Sequence, residues 1–264
     1  MKLRILPIAA LLGFIFLYGP IVSLVVFSFN ESKLVTVWGG FSTKWYAALF
    51  QNAQIMGAAW LSLKIATLSA SAATVLGVMM SMVLTRFGRV RGRTLMTGMV
   101  TAPLVMPEVI TGLSLLLLFV AMEKMFGWPS GRGVTTILIA HITFSMAFVT
   151  VVVQSRLADM DTAIEEAALD LGASPLRVFF DITLPMIAPA LIAGWLLAFT
   201  LSLDDLVIAS FVTGPGASTL PIVIFSKVRL GVSPDINALA SLIILVVSLG
   251  IIAAALIMRK GMKK

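Results

Sequence analysis

Six apolar runs of bilayer length constrain this chain more than any motif does. They cover residues 5–29, 58–84, 95–122, 134–153, 186–212 and 238–258. A helix that crosses a bilayer needs roughly 20 apolar residues. Backbone groups in hydrocarbon must pair within the protein, so unbroken apolar runs of this length must be helices. The alternating pattern of a membrane β-barrel is absent. The expectation is an all-α membrane protein with six transmembrane helices, forming a single transmembrane domain over residues 1–264. The first run follows Lys2 and Arg4 and ends in Val25-Val26-Phe27-Ser28-Phe29, with no small-residue cleavage pattern. It is too long for a signal peptide and reads as a retained helix.

Composition agrees. Apolar residues make up 59% and charged residues 12%, against about 45–50% and about 25% in soluble domains. Cysteine is absent and histidine occurs once, which excludes disulfides, thiolate or multi-histidine metal sites and cysteine nucleophiles. The net charge of +7 does not call for nucleic acid, because loop charge that orients the chain explains it. With the N-terminus placed in the cytoplasm, the inside segments hold Lys2, Arg4, Arg86, Arg89, Arg91, Arg93, Arg156, Arg177, Arg259, Lys260, Lys263 and Lys264, twelve of nineteen basic residues. That bias predicts both termini inside, as six spans require. Residues 30–57, with Trp38, Trp45 and Tyr46, read as an outer loop lying on the membrane interface.

The informative loop is 154–185, on the cytoplasmic side. Thr162 and Glu165 have capping-box spacing. Gly172 suits a left-handed helix end, Ser174-Pro175 supplies a fresh N-cap and first helical residue, and Pro185 should stop the second short helix before the fifth span. A solvated connector would also be polar. Ala167, Ala168, Leu171, Phe179 and Phe180 instead form an apolar patch of the kind that marks a partner site.

Glu166-Ala167-Ala168, three residues, Gly172, nine residues, then Ile182-Thr183-Leu184-Pro185 resembles the EAA loop of ABC importer permease subunits. Tyr18-Gly19-Pro20-Ile21, the stretch Pro103 to Gly112 and the stretch Ser202 to Phe211 are similar to its spermidine/putrescine branch. The resemblance implies the permease fold in a bacterial inner membrane. It also implies a second homologous permease subunit in a heterodimer, two cytoplasmic ATPase subunits and a periplasmic polyamine-binding protein. Glu166, Ala167, Ala168, Gly172, Ile182, Leu184 and Pro185 would then carry ATPase coupling. No phosphate-binding G-x-x-x-x-G-K-[ST] loop occurs, so no cofactor is expected on this chain, ATP is left to the partner, and the chain is not itself an enzyme.

Four ionisable residues, Glu108, His141, Asp204 and Asp205, fall inside the expected spans. Each costs about 2.5–3.5 kcal/mol at a bilayer centre on insertion scales, so each must face a cavity or a partner. Glu108 follows Pro103 and Pro107, which invite a kink. It either lines a pathway or bonds a neighbouring helix. Asp204 and Asp205, on one continuous helix, would point about 100° apart, so one of them lines the pathway and the other bonds elsewhere. That geometry rules out an aspartyl enzyme pair. His141 suits a structural hydrogen bond, and Ser69-Ala70-Ser71-Ala72-Ala73 suits close helix packing. Two readings stand beside a polyamine importer: a permease for another small cationic or organic solute, and a secondary transporter or channel using the same acids.

Overall fold

The computed structural model describes residues 2–34, 37–88, 91–231 and 233–261. Arg89, Lys263 and Lys264 of the expected inside charge lie outside the described residues. The helices are α1 (Lys2–Phe27), α2 (Lys44–Gln51), α3 (Ala53–Thr85), α4 (Arg93–Val105), α5 (Glu108–Phe126) and α6 (Val134–Ala158), followed by α7 (Ala163–Asp170) and α8 (Pro175–Val178). After a π-helical turn at Phe179–Thr183 come α9 (Leu184–Asp204), α10 (Val207–Val212), α11 (Leu220–Leu230) and α12 (Pro234–Gly261). Among the described residues the only β pairing is one isolated bridge, Asn30 with Phe41.

Among the described residues, five helical segments are long and apolar enough to cross a bilayer: Pro7–Phe27, Ala53–Thr85, Glu108–Phe126, Val134–Ala158 and Pro175–Asp204. The sixth expected run falls in α12, whose described apolar part is the shorter Pro234–Leu249. Two expected spans differ from single helices. The third breaks at Met106-Pro107, where Met106 is extended at φ −75° and ψ 138°, because a proline drives the residue before it out of the helical region. The fifth ends at Asp204, and α10 begins at Val207 after two intervening residues.

The chain divides into two units, residues 1–57 with 223–264, and residues 58–222. In the first, the segment that follows α1 is tied down by its aromatics. The Trp45 indole N–H donates to the Asn30 carbonyl at 2.6 Å, and the Tyr46 and Ser28 hydroxyls meet at 2.7 Å. Asn30 itself is buried, accepting from the Gly39 N–H and donating to the Val37 carbonyl. This segment is therefore folded on its own polar centre ahead of α2. The Lys227 ammonium and the Asp235 carboxylate pair at 2.9 Å between α11 and α12.

The second unit is built around α6. Its Ile137, Ala140, Phe144, Val149, Val153 and Leu157 are buried. Without a hydrophobic drive between helices in lipid, close approach at small residues holds such a bundle together. Val149 shows how. A Cβ at Gly77 of α3 would lie 2.7 Å from its Cγ1, and one at Gly194 of α9 would lie 3.3 Å from the same atom. Two glycine notches therefore grip one branched side chain. The small-residue run behaves as expected: Ser69, Ala70 and Ala73 are fully buried, and Ser69 bonds Ser202 of α9 at 2.9 Å. Gly112 of α5 is a third notch, against Ile208 and Phe211 of α10.

Candidate functional site

The segment 154–185 folds into α7, a glycine corner and α8. Gly172 has φ +86°, the left-handed conformation that only glycine adopts without strain. Ser174 caps α8 by accepting the Arg177 N–H at 3.4 Å, with Pro175 opening the helix. Two local expectations fail. Thr162 makes no side-chain cap, because its own backbone is helical, at φ −67° and ψ −23°, where an N-cap residue is extended. Pro185 does not stop the second helix, since backbone at Thr183 and Leu184 is helical and runs on into α9. The π turn explains this. The Leu184 N–H reaches back to the Phe179 carbonyl, and the widened turn accommodates a ring that cannot donate and would crowd an ordinary turn.

Glu165 is the anchor of this element and the residue that sequence reasoning missed. One carboxylate oxygen accepts from the Thr183 hydroxyl at 2.6 Å, and the other lies 2.7 Å from Arg86 Nε. The pair is largely buried, with side chains 12% and 15% exposed. Arg86 follows the end of α3, and Thr183 leads into α9. One carboxylate thus ties α7 to both long helices. A cleft of about 350 Å³, lined by Arg86, Glu165, Glu166, Val178 and Phe179 among others, opens beside this tie. Neighbouring side chains point outward: Glu166 and Ala167 are exposed, Leu171 is 90% exposed and Leu176 72% exposed. Of the expected apolar patch, Phe180 is exposed, whereas Ala168 is half-buried and Phe179 packs against the core around Val149. Ile182 and Leu184 are half-buried, and Pro185 is exposed.

The acids sit at the two helix breaks. Glu108 is the first residue of α5, just after Pro107, and is exposed. Asp204 is the last residue of α9 and is exposed too. Asp205 adopts an extended conformation, φ −64° and ψ 122°, so the pair does not share a helix as expected. Its side chain is turned in, accepting the N–H groups of Ile208 at 3.2 Å and Ala209 at 2.7 Å, which are free donors at the start of α10. His141, 2% exposed, places Nε2 at 3.1 Å from Asp205 and Nδ1 at 2.6 Å from the Ser202 hydroxyl. The structural role expected of His141 is the one observed. No cluster of three potential metal ligands occurs among the described residues.

The chain is 64% identical over 234 residues to the putrescine transport system permease protein PotI of Escherichia coli (strain K12), covering 89% of this chain and 83% of that one. It is 43% identical over 248 residues to the spermidine/putrescine transport system permease protein PotC of the same strain, covering 94% and 91%. Among solved structures, a bacterial ABC transporter involved in import of the acidic polysaccharide alginate has the same fold. The TM-score is 0.76 at 19% identity, over 100% of this chain and 96% of that one. The family model for the binding-protein-dependent transport system inner membrane component matches residues 73–260. With a match across most of its length and two close relatives, this chain belongs to the family of binding-protein-dependent transport system inner membrane components.

Proposed function

We propose that the chain is a permease subunit of an ATP-driven polyamine importer in a bacterial inner membrane. In this reading it has six spans, keeps both termini in the cytoplasm and pairs with a second, homologous permease to enclose the pathway. Two cytoplasmic ATPase subunits supply the energy, and a periplasmic binding protein delivers the cargo. The 64% identity to a putrescine permease over 89% of the chain carries the choice of cargo, and makes putrescine the first substrate to test. A channel or secondary transporter would have no use for a docking loop. The segment 154–185, with its glycine corner and outward Glu166, Ala167 and Leu171, supports a subunit driven from outside the membrane instead.

A polyamine carries several positive charges on an apolar linker, and stripping water from them without compensation is far too costly. Glu108, Asp204 and Asp205 are the acids this chain offers at the two helix breaks. Glu108→Gln keeps size and hydrogen bonding but removes the charge. It should lower putrescine uptake by about tenfold, a barrier change near 1.4 kcal/mol, with membrane insertion unchanged. Uptake at the parental rate would make Glu108 structural.

Topology is open to direct test because the chain has no cysteine. Single cysteines at Ser130 and Ser218, both exposed, should react with an impermeant thiol reagent from the periplasm. Those at Thr94 and Ser174, also exposed, should react only after permeabilisation. Periplasmic labelling at Ser174 would overturn the coupling role of 154–185.

A further inference from the structure

Asp204 and Asp205 are neighbours in sequence, yet the break between α9 and α10 gives them opposite surroundings. The Asp205 side chain is 6% exposed and its acceptor capacity is largely committed. Two backbone N–H groups of α10 and the imidazole of His141 converge on its two oxygens. Behind it runs a buried polar chain. Ser69 of α3 meets Ser202 of α9 at 2.9 Å, Ser202 meets His141 Nδ1 at 2.6 Å, and His141 of α6 meets Asp205 at 3.1 Å. Ser69 is fully buried, and Ser202 and His141 are 6% and 2% exposed. With Ser202 donating to Nδ1, the neutral imidazole carries its proton on Nε2 and donates it to the Asp205 carboxylate. Asp204, one residue earlier, is exposed and has no ion-pair partner among the described residues.

We infer that His141, with Ser202 and Ser69 behind it, is a positioning residue that pins Asp205 as the cap of α10, and that Asp204 is the acid of this pair that meets the cationic cargo. The mechanism is geometric. A carboxylate held by three donors fixes where α9 ends, and the extended backbone at Asp205 turns the preceding side chain away from the core. Without the imidazole, the buried carboxylate lacks a donor, which is costly in a dry site. It then seeks solvent, and the end of α9 that presents Asp204 moves with it. The inference rests on the reading that a polyamine crosses here. The sorting of the two acids also has consequences independent of cargo.

The test uses the complete transporter in membranes and a small cationic thiol reagent, 2-aminoethyl methanethiosulfonate. Cysteine at 204 should react many-fold faster than cysteine at 205. Adding His141→Leu to Asp204→Cys should change the reaction rate at 204 several-fold. His141→Gln, whose amide can still donate to Asp205, should restore most of it. In uptake assays, His141→Leu should lower putrescine transport by roughly tenfold on its own, as small misplacements of a working group do. It should have little further effect in an Asp204→Asn background, because groups acting through one another are not additive. Equal labelling at 204 and 205, indifference of position 204 to His141, or independent, multiplying losses of uptake would each overturn the inference. Should His141→Leu not assemble, the two cysteine rates and the Gln variant decide. If the parental complex takes up no putrescine at all, the cargo assignment fails, while the labelling rates still judge the role of His141.

Discussion

Replacing Glu165 with alanine should uncouple transport from ATP hydrolysis. The substitution removes the acceptor of the Thr183 hydroxyl and the partner of Arg86 in one step. Breaking a buried pair from one side costs about 3 kcal/mol, the low end of the range because both groups keep some contact with water. The loss is local, since α3, α6 and α9 are held by contacts that do not involve Glu165. The expected outcome is a protein that inserts normally, copurifies less ATPase and takes up little substrate. Glu165→Gln, which can still accept from Thr183, should fall between the two. Gly172→Val should act on the same element through backbone strain, since a branched residue at φ +86° is a genuine outlier. Normal ATPase recovery with Glu165→Ala would show that the tie to α3 and α9 is dispensable.

The second large effect is expected in the bundle itself. Gly77→Val would put a Cβ 2.7 Å from Val149 Cγ1, 2.9 Å from its Cβ and 3.2 Å from the Thr150 nitrogen. None of these atoms is the end of a flexible chain, so the helices must separate. Overpacking of this kind costs about 1–3 kcal/mol. The seam also carries a hydrogen bond from the Ser81 hydroxyl to the Thr150 carbonyl at 2.9 Å, which separation would break. The variant should show a lower midpoint of thermal unfolding in detergent and reduced yield in the membrane. Val149→Ala frees the contested space, so the double variant should recover much of the loss, as residues in contact do not add. Full stability of Gly77→Val alone would mean that α3 and α6 are not in such close contact.

Both effects rest on features of different legibility. The apolar runs predicted the helices because lipid leaves the backbone no alternative. The glycine corner at Gly172 and the Ser174 cap were legible for a similar reason: each is set by neighbours a few residues away. Pro103 and Pro107 predict a kink, but Pro103 stays within α4, and the full interruption at Pro107, with Glu108 opening a new helix, needed the structure. Glu165 reads as a local cap because Thr162 stands three residues before it, whereas its partners Arg86 and Thr183 are distant in sequence. No periodicity encodes such a tie. The same holds for Asp205. Treated as part of a continuous helix it shares the lot of Asp204, and only the packing of His141 and Ser202 around the break separates them. Pro185 reads as a stop because a proline ends an α-helix, yet a π turn carries the chain past it.

The function proposed for this subunit is to move polyamine inward at the expense of ATP hydrolysed by a partner. The direct measurement uses proteoliposomes holding this chain, its partner permease and the ATPase, with the binding protein and labelled putrescine on one face and ATP on the other. The expected result is concentrative uptake that requires ATP and the binding protein and that falls sharply with Glu165→Ala. Putrescine flux through this chain without the ATPase, or ATP-driven uptake that remains normal in Glu165→Ala, would contradict it.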